Sequence, residues 1–404
     1  MHIGLCSPQW PPSGAANGIV SYVAAIRGHF LSRGHRVSVI AQDRLYDADG
    51  SERIIAPAPR ERFAAFRHQL VSRADAWRGD LPGIGNSVVR QIATARDMGD
   101  IDILEMEESF GWSAAVQRSV PVPVVTRLHG PHFLKPAQTH GLRERWFDRQ
   151  RSAAEGRAIR FARALAAPTR AIMAATCARY RVPIRVGLRA VIPNPIAIPP
   201  ETRRWRASAC EPGHILMVGR FDYWKGADTM LAAFARVLAT HPAARLTLVG
   251  PDLGIEVSPG KVARFAEYAR CHLPAEARER VTFTGSLTRE EIDVLRRRAQ
   301  VTVIASRCEN LPYALLEAMA AGCPVISTDW AGSEEIVING VMGLRTPVGD
   351  ADTMARRLDR LLRQPDLAAK LGANAHDRCR RHFALEVVGD ELLRHYDAAL
   401  KGRQ

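Results

Sequence analysis

The chain has 404 residues, 47% hydrophobic, 24% charged and 6% aromatic, which excludes collagen-like, low-complexity and wholly disordered classes. Single cores stop growing near roughly 250–300 residues, so two domains of about 200 each are expected. The net charge of +14 is uneven, +11 over residues 1–200 and +3 over 201–404, so the first half should face an anionic partner: a phosphorylated substrate, a membrane surface or nucleic acid.

His2 to Cys6 reads as a short buried strand, followed by a loop from Ser7 to Asn17 rich in Pro, Ser and Gly. Gly18 opens a helix with Ile19, Val23, Ile26, Phe30 and Leu31 at helical spacing, and Gly34 stops it. Arg36–Ala41 is the next strand, so the first 40 or so residues form a βαβ unit with a parallel sheet and a right-handed crossover. Over Arg60 to Arg78, Phe63, Phe66, Leu70, Ala74 and Trp77 recur at helical spacing among Arg60, Arg62, Arg67, Arg73 and Arg78. Two readings of this segment stay open: an interfacial helix at an anionic membrane, or a helix packed on its own domain with solvated arginines. Gly83-Ile84-Gly85 reads as a turn, and further strands are expected at 101–104, 122–126, 164–167 and 189–192.

Pro193-Asn194-Pro195 and Pro199-Pro200 interrupt the pattern as a linker, which divides the chain into a domain over 1–195 and another over 200–384. The second alternation predicts strands at 215–218, 245–249, 281–284, 301–304 and 324–327, with helices at 227–239, 289–299, 312–321 and 352–362. A final helix, Leu385 to Leu400, places Leu385, Val388, Leu392, Leu393, Tyr396 and Leu400 on one face. The fold class is therefore α/β, with two doubly wound domains and a ligand expected in the cleft between them. No apolar run approaches the roughly 20 residues that span a bilayer, and no secretory signal opens the chain. The seven cysteines are scattered and never spaced Cys-x-x-Cys, which argues against zinc or a disulfide framework and for a cytoplasmic location.

Four places carry chemistry. In Ser306-Arg307-Cys308-Glu309-Asn310-Leu311-Pro312-Tyr313-Ala314-Leu315-Leu316-Glu317, a strand ends before Ser306 and Pro312 suits a first helical turn. Glu309 then lies at the mouth of a helix and Glu317 beyond its first turn, one carboxylate for sugar hydroxyls and the other for a ribose diol. Free amides over 313–316 would receive a phosphate, and a bare helix-dipole acid with a solvated Glu is the alternative. In Val218-Gly219-Arg220-Phe221-Asp222-Tyr223-Trp224-Lys225-Gly226, Arg220 and Lys225 can grip a diphosphate, or form a solvated basic turn. In Ser13-Gly14-Ala15-Ala16-Asn17-Gly18, small residues bring a substrate close to helix amides, or simply make a tight turn. His129, in Arg127-Leu128-His129-Gly130-Pro131-His132, stands at the carboxyl end of a parallel strand and faces the cleft, or is a structural histidine. No Gly-x-Ser-x-Gly, His-Glu-x-x-His or P-loop pattern occurs.

Together these residues resemble family 4 of the retaining glycosyltransferases (glycosyl transferases group 1), which have the GT-B fold. The resemblance covers nearly the whole chain and is most specific over Glu309 to Gly322. It implies that Arg220 and Lys225 neutralise a departing nucleotide diphosphate and that Glu317 holds the ribose. Glu309, with the amides of Asn310 and Leu311, would hold the donor sugar, and His129 would meet that sugar from the other domain. Gly18, Gly219, Gly285 and Leu315 complete the implied donor site, with the backbone near Thr284-Gly285-Ser286 against the base. It further implies that the terminal segment 385–404 returns to the first domain. The first loop has Asn17-Gly18 where the family often has Gly-Gly, and Pro193-Asn194-Pro195 replaces the frequent Pro-Asn-Gly.

The expected activity is transfer of a sugar from a nucleotide-diphosphate donor to a hydroxyl of a saccharide or lipid-linked acceptor, in polysaccharide or glycolipid biosynthesis. Fixed cations in a closed cleft can replace a metal, so no metal or other cofactor is expected. No carboxylate nucleophile can be assigned, and the resemblance implies front-face transfer in which the leaving phosphate helps deprotonate the acceptor. A same-fold phosphorylase, or a synthase acting on a small sugar phosphate, is the alternative. Nucleic-acid binding is a remote one, suggested by charge alone and lacking aromatic–basic interleaving, so no nucleic acid is expected as partner. The protein is expected in the cytoplasm, with peripheral attachment to the membrane's inner face tied to the interfacial reading of 60–78.

Overall fold

A computed structural model describes residues 1–12, 17–55, 84–134, 142–183 and 187–402. Loop residues 13–16 and the aromatic–arginine segment 60–78 lie outside them. The chain divides into two compact units, Met1–Pro195 with Leu385–Gln404, and Ile196–Ala384.

In the first unit the described elements are β1 (His2–Ser7), α1 (Gly18–Ser32), β2 (Arg36–Ala41), β3 (Arg44–Tyr46), β4 (Glu52–Ile54), α2 (Ile84–Gly99), β5 (Ile103–Glu107), α3 (Trp112–Ser119), β6 (Val124–Arg127), α4 (Leu142–Arg160), β7 (Ala164–Ala167), α5 (Arg170–Tyr180) and β8 (Leu188–Val191). Among the described residues the strands form one sheet in the order β4-β3-β2-β1-β5-β6-β7-β8. β1 pairs in parallel with both β2 and β5, and the hairpin β3–β4 extends one edge antiparallel. Ile3, Leu5, Val37, Val39 and Ile103 are fully buried, each adding about 1.5–3 kcal/mol by leaving water. Asn17 caps α1 by accepting the Ile19 N–H at 2.9 Å, and Gly34, at φ +80°, takes the left-handed turn that ends it.

Several boundaries move for physical reasons. β6 starts at Val124 rather than 122, because Pro123 has no N–H to pair. The strand expected from Ile101 starts at Ile103, since Asp102 first takes the His2 N–H at 2.7 Å. The turn expected at Gly83-Ile84-Gly85 is instead a helix start at Ile84, because Ile92 and Ala95 bury one face of α2 in the cluster with Ile101 and Leu104.

The last helix, Leu385–Lys401, belongs to the first unit and buries Val388, Leu392 and Tyr396. Gly389 is required there, since a Cβ would lie 2.2 Å from the His29 ring. Asp390 receives His29 of α1 and Arg33 just past its end at 2.9 and 2.6 Å, and Tyr396 donates to the buried Glu105 at 2.7 Å.

The second unit contains β9 (Glu211–Val218), β10 (Phe221–Asp222), α6 (Ala227–Val237), β11 (Arg245–Val249), β12 (Asp252–Ser258), β13 (Lys261–Ala263), α7 (Phe265–His272), α8 (Ala275–Glu279), β14 (Val281–Phe283), α9 (Arg289–Arg298), β15 (Ala299–Ile304), α10 (Tyr313–Ala320), β16 (Val325–Thr328), α11 (Ser333–Ile336), β17 (Leu344–Thr346), α12 (Ala351–Arg363) and α13 (Pro365–Arg378). Its main sheet runs β14-β11-β9-β15-β16-β17, all parallel, and β10-β12-β13 form a small second sheet. The order reverses between β9 and β15, and a parallel sheet opens a crevice for ligands outside the carboxyl ends of such a strand pair. In the first unit the reversal falls between β1 and β5. Among the described residues, no helix is long and apolar enough to cross a membrane.

Candidate active site

In the second unit the two loops that leave β9 and β15 are bonded together. Asp222 organises the first of them. One of its carboxylate oxygens accepts the Lys225 backbone N–H at 2.7 Å and the other accepts Arg220 Nε at 2.7 Å, so both cations of the turn are set by one acid. Gly226 then starts α6 at φ +70°, with its Cα against the end of β15: a Cβ would lie 2.0 Å from the Ala305 carbonyl oxygen. Only glycine fits that approach.

Arg307 closes the second loop onto the first. Its backbone N–H donates to the Trp224 carbonyl at 2.8 Å, and its guanidinium forks onto Asp228 at 2.7 and 2.6 Å. The same group lies 3.9 Å from the Tyr223 ring centroid, a cation–π contact. Burial works against its charge, but the bonded Asp228 more than offsets this, and its pKa is raised.

The result is a compact cluster of charge. The Lys225 ammonium donates to Glu309, and the Ser306 hydroxyl donates to the same carboxylate oxygen at 2.7 Å. Glu309 is 8% exposed, whereas the Arg220 side chain is 42% exposed, so the acid is sheltered and one cation reaches solvent. Glu317 lies on α10 and accepts from the buried Arg296 at 2.8 Å. Leu311 and Leu315 are buried with Leu316 and Met319, so their side chains serve packing. The Leu315 and Leu316 N–H groups already donate to the Pro312 carbonyl at 3.1 and 3.3 Å, so these two of the four amides expected to be free are satisfied within the helix start. Gly285 takes φ +71° just after β14, and its carbonyl accepts the Gly250 N–H at 2.8 Å. Gly219 follows β9 and donates to the Val249 carbonyl at 2.8 Å.

In the first unit, Gly18 is the first residue of α1, and His129 stands two residues past β6 with its ring edge-on to Tyr22, centroids 5.0 Å apart. Burial, reinforced by the Arg127 charge, holds its pKa well below the usual histidine value, so the ring is neutral at physiological pH. The residue that holds this loop carries no motif of its own in the sequence. Glu108, fully buried just after β5, accepts the His129 and Gly130 N–H groups at 2.9 and 2.8 Å. An acid ending the strand beside the sheet's reversal point was the available signal.

Burial outweighs those two donors, and with Glu107 and Glu155 nearby it pushes the Glu108 carboxyl from 4.5 up to about 8. Between these values the folded chain keeps a proton that the unfolded chain has lost. Stability therefore falls as pH rises, by about 1.4 kcal/mol per unit, and levels off above the folded pKa. Depressed histidines act below pH 6.5, and burial also raises the Glu105 and Glu107 carboxyls, so Glu108→Gln is the control that isolates this effect between pH 6.5 and 8. The melting temperature should fall across that window in the parent and stay flatter in Glu108→Gln; equal slopes would contradict the assignment.

A separate cavity of about 770 Å³ in the first unit is lined by Arg149, Arg157, Arg160, Arg179 and Arg181 around Tyr180. Arg157, Arg160 and Arg179 lie in the last turns of α4 and α5, where cations complement exposed carbonyls. His132, at the end of the stretch that carries His129, also lines it, whereas His129 itself does not.

Two family profiles match in succession: "Glycosyltransferase Family 4" over residues 16–198 and "Glycosyl transferases group 1" over 201–378. Glycogen synthase of Mycobacterium tuberculosis is 29% identical over 208 residues, covering 50% of this chain and 48% of that protein. The chain thus spans about half the length of the curated relatives it matches. Among solved structures, sucrose-phosphate synthase from Thermosynechococcus elongatus superposes with a TM-score of 0.76 at 22% identity, over 99% of both chains. Anabaena HepE in complex with UDP and glucose gives a TM-score of 0.65 at 17% identity, over 98% of this chain and 100% of that one. The chain belongs to the group 1, family 4 glycosyltransferases and has their GT-B fold.

Proposed function

We propose that this protein transfers a sugar from a nucleotide-diphosphate donor to a hydroxyl of a saccharide or lipid-linked acceptor, with retention and without a metal, in polysaccharide or glycolipid biosynthesis. The observation that carries this reading is the Lys225–Glu309 pair beside Arg220 at the carboxyl ends of β9 and β15. A lysine ammonium has three N–H donors, so one group can serve both Glu309 and a phosphate oxygen. Arg220, turned to solvent, adds a second cation to the diphosphate. Glu309 then accepts hydroxyls of the transferred sugar next to the leaving group, and Glu317 accepts the ribose diol.

In the step itself the bond from the anomeric carbon to the phosphate oxygen breaks and a bond to the acceptor oxygen forms on the same face. The acceptor's proton passes to the departing phosphate. Negative charge grows on the diphosphate as the bond breaks, and two fixed cations stabilise that charge more than the ground state. A neutral His129 suits hydrogen bonding to a sugar hydroxyl better than a second positive charge would. The Anabaena protein solved with UDP and glucose supports a nucleotide-sugar donor. The net +11 of residues 1–200 suits a phosphorylated or lipid-linked acceptor and an anionic membrane surface.

The test is transfer in the presence of excess EDTA, with the product's anomeric configuration read by NMR. Turnover should be largely unchanged and the donor's configuration kept. Complete loss restored by Mg²⁺ or Mn²⁺ would overturn metal independence, and an inverted product would overturn retention.

A further inference from the structure

We propose that Arg296 is a positioning residue for the donor's ribose, one that makes the site discriminate a ribonucleotide from its dideoxy counterpart; the inference rests on the reading of Glu317 given above. Arg296 lies in the last turn of α9 and is 2% exposed, so its guanidinium has little water, and two of its three nitrogens find carboxylates in the protein. It donates to Asp293 at 2.6 Å and to Glu317 Oε2 at 2.8 Å. Asp293 is fixed in turn, since its other oxygen accepts from Arg203 at 2.9 Å. Charges alternate along Arg203, Asp293, Arg296 and Glu317, and the far end of this line is a carboxylate that remains 22% exposed.

That arrangement exceeds what packing needs. Glu317 sits in the middle of α10, where an unrestrained Glu side chain samples several rotamers. One nitrogen of the buried guanidinium holds Oε2 while another is committed to Asp293, and the second oxygen, Oε1, lies 3.8 Å from the exposed Arg289, beyond hydrogen-bond distance. A vicinal diol asks for a carboxylate at one fixed angle, and a side chain ordered before binding loses less freedom on binding. Arg296 touches no ligand in this account; it acts through Glu317. A lysine would supply the charge without the planar fork.

The experiment compares the binding of UDP, GDP and ADP with that of their 2′,3′-dideoxy counterparts by calorimetry, in the parent, Arg296→Met and Arg296→Lys. The parent should prefer the tightest-binding ribonucleotide over its dideoxy form. Arg296→Met should weaken the ribonucleotide by about tenfold, the scale of one side chain freed from order, while leaving the dideoxy compound unchanged. Arg296→Lys should fall between, and it carries the same comparison if the Met variant does not fold. In a Glu317→Gln background, Arg296→Met should have no further effect on selectivity. Equal weakening of both nucleotides, the outcome of a purely structural role, would overturn the inference, as would a preference that survives the substitution. A parent that binds none of the six nucleotides would instead overturn the reading of Glu317 as acceptor of a ribose diol.

Discussion

Replacing Lys225 with alanine is expected to lower kcat/KM for sugar transfer by about 10²–10³, the usual cost of removing one group aimed at developing charge. Lys225 is the one lysine of this turn, and Asp222 fixes its backbone by accepting the main-chain N–H. The diphosphate is already anionic and gains further negative charge as the sugar–phosphate bond breaks, so the loss should fall on kcat as well as on nucleoside-diphosphate affinity. The backbone bond to Asp222 survives the substitution, and the lysine side chain is 22% exposed, so the fold should remain and the melting temperature shift by only a few degrees. Steady-state kinetics beside a thermal melt give the answer. Parental turnover from a well-folded Lys225→Ala protein would remove the diphosphate assignment.

Glu309→Gln should cost transfer as heavily, with a different signature. The substitution keeps the shape but replaces an acceptor of two donors, Lys225 Nζ and Ser306 Oγ, with an amide that can accept at one oxygen and must point its NH2 elsewhere. The sugar loses a charged acceptor next to the bond that breaks, so turnover should fall by about 10²–10³. The diphosphate cations stay in place, so binding of the free nucleoside diphosphate should stay near that of the parent. Loss of both together would mean that Glu309 merely supports Lys225.

How far the fold was legible depended on what each segment buries. Arg36–Ala41, Ala164–Ala167 and Arg245–Val249 coincide with their apolar runs because interior strands are covered on both faces. The edge hairpin of Arg44–Tyr46 and Glu52–Ile54 passed unseen, since three-residue strands with mixed polarity carry no period. Pro312 and Gly226 announced helix starts, and the structure puts α10 and α6 directly after them. The buried charges were illegible. Arg296, Arg307 and Glu108 look like solvent-facing residues in a pattern of apolar positions, because what permits their burial is a partner distant in sequence: Glu317, Asp228 and the His129 backbone. Likewise Asp222 read as a loop acid, though it joins Arg220 to Lys225.

The central claim is that the paired loops after β9 and β15 act on a nucleotide sugar. Its most direct test is release of nucleoside diphosphate by the parent protein from a panel of UDP-, GDP-, ADP- and dTDP-sugars, with Lys225→Ala and Glu309→Gln as matched controls. The account predicts that at least one donor is turned over by the parent, well above both folded variants. Release of nothing across the panel by folded protein, or release at the same rate by all three proteins, would contradict it.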